Sequence, residues 1–287
     1  MPTERLYLKP GVDARHAAAT LRAVIQEASQ VQAAINAEIL LRNYFHWIEF
    51  AEPQLSTLTR DIELLTTLRT PTHWHIRTLA LSVTTHAPVA ARPVPLVSQE
   101  IEFQTAVLQD LVADLDARIG RAVEGEGHIT VIDTNLLLEY ERPDNVPWDE
   151  IIKRRPARIV VPLRVIEELD EKKYDRRPGL ADRARRAASW LEGAVANAGA
   201  PKPLRDCATI EVLIDPGPRR RPPDADREIL DDCHELHQLS GQPLTLVTGD
   251  TGMLLRAQAE AIAVVKMPET YARAAATQSA ETPAPTD

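Results

Sequence analysis

The sequence predicts an α/β domain built on a mainly parallel sheet and preceded by an all-helical segment, and three observations carry that reading. From about residue 128 onward, short apolar runs alternate with longer amphipathic stretches, as in a sheet covered by helices on both faces. Carboxylates fall at the ends of the apolar runs or at the helix starts beside them, at Asp133, Glu168, Asp226 and Asp250. Open α/β sheets gather their ligands at that end. Before residue 125 the apolar residues recur at helical spacing instead.

In order along the chain, Leu21, Val24, Ala28, Val31, Ile35 and Ile39 form one stripe of an amphipathic helix running from Asp13 to about Phe50. Pro53 is expected to break it. A second helical pattern covers Leu55 to Leu68 and continues loosely to Leu81. Pro88, Pro93 and Pro95 favour an extended linker between His86 and Val97. Ile101, Leu108, Leu111, Leu115 and Ile119 then form a third stripe. Gly120, Gly125 and Gly127 mark the entry to the second domain. Strands are expected at 129–133, 158–162, 209–215, 244–248 and 261–266, with helices near Asn135 and over 148–153, 163–173, 180–197, 224–239 and 252–259. The division is 1–125 helical, 126–271 α/β, and 272–287 an Ala, Thr, Ser and Pro-rich tail expected to be disordered.

A net charge of -9 argues against a protein that holds nucleic acid through overall charge, and favours an acidic site that recruits a divalent cation. Cys207 and Cys233 make no disulfide framework and suit a reducing compartment. No apolar stretch is long enough to span a bilayer, and the N-terminal residues do not read as a secretory signal, so a cytoplasmic location is expected. Cys233, His234 and His237 lack the second ligand pair of a zinc site.

Carboxylates gathered in one crevice repel one another unless a proton or a cation intervenes. All-oxygen donors suit Mg²⁺ or Mn²⁺, which can acidify a water and offset charge on a phosphate. Four motifs carry a family resemblance: Asp133-Thr134-Asn135 after an apolar strand, Pro162 to Asp170 around Glu168-Leu169, Asp226 followed by Ile229-Leu230, and Leu246 to Asp250. In order, they resemble the acidic motifs of the PIN-domain ribonucleases.

That resemblance covers roughly residues 128 to 270 and implies a five-stranded parallel sheet and metal-dependent endonucleolytic hydrolysis of RNA by water. The products would be 5′-phosphate and 3′-hydroxyl ends. It further implies that Asp133, Glu168, Asp226 and Asp250 form the catalytic and metal-binding set, with Asn135 or Thr248 orienting a carboxylate or a water. Glu168 rather than its neighbour Glu167 fits the motif. Gly249 and Gly252 depart from the pattern and suggest a mobile loop around Asp250.

Basic clusters at 153–155, 172–173, 176–177, 183–186 and 219–221 stand out in an acidic chain. Arg219, Arg220 and Arg221, with Arg176 and Arg177, read as an RNA-contacting rim, or else as solvated surface. Tyr174 reads equally as a base-stacking or a packing residue. The stripes of the helical segment allow a homodimer or a regulatory protein partner. Two rival readings stay open: the toxin of a toxin–antitoxin pair, and a catalytically silent RNA-binding or scaffold protein on the same fold.

Overall fold

The computed structural model describes residues 5–34, 37–59, 93–195, 201–205, 207–213 and 224–273. Their helices and strands run α1 (Ala14–Gln32), α2 (Ala37–Leu58), α3 (Pro93–Val123), β1 (His128–Ile132), α4 (Thr134–Glu139), α5 (Trp148–Ile152), β2 (Ala157–Pro162) and α6 (Leu163–Lys172). Then follow α7 (Leu180–Ala194), β3 (Lys202–Arg205), β4 (Ala208–Leu213), α8 (Ala225–Ser240), β5 (Leu244–Thr248), α9 (Thr251–Ala259) and β6 (Val264–Lys266). They fall into two compact units, one of residues 1–126 with 215–243, the other of 127–214 with 244–287. Among the described residues no helix is long and apolar enough to cross a membrane.

The first unit is helical. Asp13 caps α1 by accepting from the His16 N–H at 2.9 Å. The helix then buries Ala17, Leu21, Val24, Ala28 and Val31, a single face at 3.6-residue period. That face belongs to one core with Tyr44, Trp47 and Leu55 of α2, Ile101, Leu108 and Leu115 of α3, and Leu239 of α8. The Trp47 indole N–H donates to the Val24 carbonyl at 2.9 Å, so the largest ring in this core carries no unpaired donor. Arg118, 5% exposed, donates to the Leu6 carbonyl at 3.1 Å and to Glu235 at 2.6 Å, tying α8 into the unit by a buried charge pair.

Three expectations about the prolines and helices change. Pro53 lies inside α2 and does not end it. A proline removes one backbone donor, but stopping there would expose Leu55 and Leu58, both buried. Pro93 and Pro95 sit in the first turn of α3 and not in an extended linker. First-turn N–H groups have no intrahelical acceptor, so proline costs little there. The single helix expected from Asp13 to Phe50 is α1 and α2, with residues 35–36 outside the described set. The helical pattern expected beyond Thr59 and the tail beyond Arg273 also lie outside it.

The second unit holds a six-stranded sheet in the order β3-β4-β2-β1-β5-β6. All neighbours pair in parallel except β3 with β4, which are antiparallel. The expected five parallel strands are thus present as β1, β2, β4, β5 and β6, and β3 is an addition at one edge. Its proline, Pro203, fits there because an edge strand needs ladder donors on one side only. β1, β2 and β5 are the central three, and β2 and β5 are buried along their whole length. This is why they read as continuous apolar runs. Val131 pairs with Val160 on one side and Leu246 on the other, so the carboxyl ends of the three strands lie level.

Candidate functional site

Three of the four motif acids stand at the carboxyl end of these central strands. Asp133 follows β1 and caps α4, its Oδ1 accepting from the Leu136 N–H at 2.8 Å. Asp250 follows β5 by one residue and caps α9, its Oδ1 accepting from the Met253 N–H at 2.9 Å. Glu168 lies on α6, directly after β2.

Capping alone does not account for Asp133. The capping acids Asp13 and Asp224 are exposed, whereas Asp133 is 3% exposed. Burying a carboxylate costs several kcal/mol, which a surface cap avoids (roughly, for an ion of this size).

A hydrogen-bonded chain joins the three acids. Thr134 Oγ1 donates to Glu168 Oε2, and Thr248 Oγ1 donates to Asp133 Oδ2. The same Thr248 oxygen accepts from the Asp250 N–H at 2.9 Å. Thr248 is wholly buried at the last position of β5 and links the ends of β1 and β5. Glu168 also pairs with Lys172 one turn on, at 3.5 Å. Its neighbour Glu167 turns to Arg164 at 3.7 Å, since successive helical residues face about 100° apart.

Beside this chain lies Tyr140, buried at the end of α4. Burial, then Glu269, Asp133 and Glu139, push its phenol above the ordinary tyrosine range, so the ring stays neutral beside the acids. A side chain on Gly249 would come within 2.8 Å of the Tyr140 hydroxyl oxygen and nearer still to the ring. Gly249 therefore permits a close approach of the Asp250 loop to Tyr140.

The fourth acid, Asp226, occupies the first turn of α8 behind the cap Asp224, whose Oδ1 accepts from the Asp226 N–H at 3.1 Å. α8 groups with the N-terminal helices. Asn135 is half-buried in the first turn of α4. The sequence marks Thr134 only as part of the Asp133-Thr134-Asn135 motif and Lys172 only as part of a basic cluster, and it does not mark Tyr140. Thr134 had one available signal, its place between Asp133 and Asn135; the other two contacts are tertiary or one helical turn away.

All the donors in the chain are oxygens. A carboxylate oxygen keeps acceptor capacity after one hydrogen bond, and Asp250 Oδ2 has no protein partner among the described residues. This donor chemistry fits a hard divalent cation. Among the described residues, no three acidic, histidine or cysteine side chains stand close enough to form a ready metal-binding group. The strand ends thus present donors side by side and not a closed cage.

A family model described as the PIN domain matches residues 130–268. The chain carries a PIN domain. No curated protein matches the chain. PIN domains are generally metal-dependent nucleases using Mg²⁺ or Mn²⁺, and PIN nucleases bind RNA. The matched segment begins at Thr130 on β1 and spans all four acidic motifs.

The candidate RNA-contacting residues of the PIN domain are unequal in their surroundings. Arg177 is engaged by Asp175 at 2.8 and 3.0 Å, and that pairing holds the Asp175 carboxyl down to about 2. Arg176 is exposed beside it. Tyr174 is 85% exposed, which leaves it no packing role. Arg219, Arg220 and Arg221 lie outside the described residues.

Proposed function

We propose that this PIN domain is an endoribonuclease that hydrolyses RNA phosphodiester bonds with Mg²⁺ or Mn²⁺. The observation that carries the reading is the partly buried hydrogen-bonded chain from Glu168 through Thr134, Asp133 and Thr248 to Asp250, across the ends of three adjacent strands. Asp133, Glu168 and Asp250 would hold the cation directly or through water. Asp226 joins them on the strength of the motif match alone. When bound, the cation supplies an acidified water and positive charge beside the scissile phosphate.

The rest of the work falls to the chain itself. Thr248 holds the Asp133 carboxylate and the Asp250 backbone to each other, and Thr134 holds Glu168 beside them. The two hydroxyls donate to Glu168 Oε2 and Asp133 Oδ2, and a carboxylate oxygen keeps acceptor capacity for a ligand after one hydrogen bond. The Tyr140 ring backs the Gly249-Asp250 turn and excludes water from that side. Arg176 and Arg177 belong to an RNA-contacting rim, with Arg219, Arg220 and Arg221 assigned to it by sequence.

The test is cleavage of an end-labelled RNA pool with Mn²⁺, with Mg²⁺ and with chelator. Asp133→Asn and Asp250→Asn should each lose at least about a hundredfold in rate, as expected when a preorganised charged group at the reacting centre is removed. Circular dichroism should show both variants folded. Wild-type rates in both would refute the mechanism.

One observation favours a second reading, a PIN domain that binds RNA without turnover. The Lys172 ammonium already stands on Glu168 and takes part of the charge that a cation would neutralise. RNA binding with no cleavage under either metal would select that reading.

A further inference from the structure

On the PIN domain, away from the acids, lies a cleft of about 340 Å³ at the far end of α4. It is lined by Arg142, Asn145, Arg186, Trp190 and Arg273, with Glu141 at its edge. The cleft is built by tertiary contacts. The Arg273 N–H donates to the Glu139 carbonyl at 2.9 Å and Glu141 N–H to the Tyr271 carbonyl at 2.8 Å, which lays residues 271–273 against the end of α4. The Trp148 indole donates to the Pro143 carbonyl at 2.8 Å and fixes the opposite loop. α7 closes the remaining side with Arg186 and Trp190.

The charges in and around the cleft are unevenly matched. Arg142 pairs with Asp144 at 3.0 Å, and nearby Arg183 pairs with Glu139 at 3.1 Å. Among the described residues, Arg186 and Arg273 have no carboxylate within ion-pair distance. Burial holds the Arg273 guanidinium below its ordinary range; Glu141 and Glu139 oppose this, while Arg186 and Arg183 add to it. A guanidinium keeps its proton at any ordinary pH, so this is an unfavourable charge that an anion would relieve. Trp190 lines the same cleft, half-buried, and has no aromatic partner among the described residues.

We propose that this cleft is an RNA subsite, with Arg186 and Arg273 gripping one backbone phosphate and Trp190 stacking on the adjacent base. The volume suits a single nucleotide, at the low end of about 300–1,000 Å³ for ligand pockets. Planar arginine forks bind phosphate well, and an indole accepts any base by stacking. α4 joins the cleft to the acids: Asp133 caps its first turn, Leu137 lines the cleft, and the helix is only about 9 Å long at 1.5 Å per residue. A strand held in the cleft would therefore have its next phosphates close to the carboxylates. The subsite rests on RNA being the substrate proposed above, and adds where the strand is held.

The test is binding of a fluorescein-labelled single-stranded oligoribonucleotide to the full chain, read by anisotropy in chelator across a salt series. Arg186→Glu should weaken binding by about tenfold, and the slope of log affinity against log salt should fall by about one. Trp190→Ala should cost about fivefold or more, and Trp190→Phe should recover most of that. Glu141→Gln should tighten binding about two- to fivefold by removing the opposing charge (roughly, for one exposed charge).

Arg185→Glu is the control, since Arg185 is exposed on the same helix and pairs with Asp182 at 2.8 Å. Wild-type affinity in Arg186→Glu and Trp190→Ala would overturn the subsite. So would an equal loss in Arg185→Glu, which would mean general charge alone, or a failure of Trp190→Phe to rescue. Because the binding assay contains no metal, it does not depend on turnover: RNA held through the cleft, together with no cleavage in the Mn²⁺ and Mg²⁺ assays above, would remove the nuclease reading and leave the subsite standing. Cleavage with intact binding in the cleft variants would do the reverse.

Discussion

Thr248→Val is the substitution that most directly tests the link between the strand ends. Valine keeps the shape of threonine and replaces the hydroxyl by a methyl. The site is wholly buried, so no water replaces what is lost. Two groups each lose a hydrogen bond: Asp133 Oδ2, which accepts from Thr248 Oγ1, and the Asp250 N–H, which donates to it at 2.9 Å.

Leaving a buried polar group unpaired costs about 1–3 kcal/mol. The Asp133 carboxylate belongs at the upper part of that range. The Asp250 amide is only partly buried and belongs at the lower part, so the sum is about 2–4 kcal/mol (from the same range). Thr248→Ser keeps the hydroxyl and deletes one buried methyl, at about 1 kcal/mol. A role in packing alone would make serine the more damaging change, since it leaves a cavity and valine does not.

Urea unfolding of wild type and both variants, followed by circular dichroism and tryptophan fluorescence, decides between the two. Coincident transitions are the condition for converting midpoints to free energies in a chain with two compact units. Thr248→Val should be the less stable variant by about 1–3 kcal/mol (the difference of the ranges above). A valine variant as stable as wild type, or more stable than the serine variant, would refute the bridging role of this hydroxyl.

Three other perturbations probe the same unit. Gly249→Ala should destabilise the PIN domain by about 1–3 kcal/mol through overpacking against Tyr140, and the loss should shrink in a Tyr140→Leu background, as a double-mutant cycle in urea would show. Lys172→Met should tighten Mn²⁺ binding about two- to fivefold by calorimetry, because it removes a half-exposed cation worth about 0.2–1 kcal/mol from Glu168; weaker binding would mean that Lys172 helps to place Glu168. His128 is held below its ordinary value of 6.5, first by burial and then by Arg154, so the unfolded chain takes up its proton more readily than the folded one. Stability should accordingly fall as pH drops below about 6.5, and His128→Gln should flatten that part of the thermal-melting profile against pH.

Much of the PIN domain is legible in the order of its residues. A strand buried on both faces can only be apolar, so β1, β2 and β5 announce themselves as continuous runs, and a polar residue ending such a run must lie at a strand end. Asp133 and Asp250 follow from that alone. The edge strand β3 does not, because four residues exposed on alternate positions and containing a proline carry no apolar pattern. Pro53 misleads for a related reason: local propensity argues for a break, and the burial of Leu55 and Leu58 outweighs it.

What the sequence by itself determined, then, is which residues are acidic, which segments are covered, and in what order they come. Only the tertiary structure decided which side chains meet. Thr134 reaches Glu168, Thr248 reaches Asp133, and Tyr140 fills the space above Gly249, each across residues distant in the chain. Likewise α8, and Asp226 on it, packs with the N-terminal helices because Leu239 and Glu235 find their partners there. Periodicity reports whether a face is buried; it carries no information about what buries it, and the contacts that would hold RNA and a cation are of that second kind.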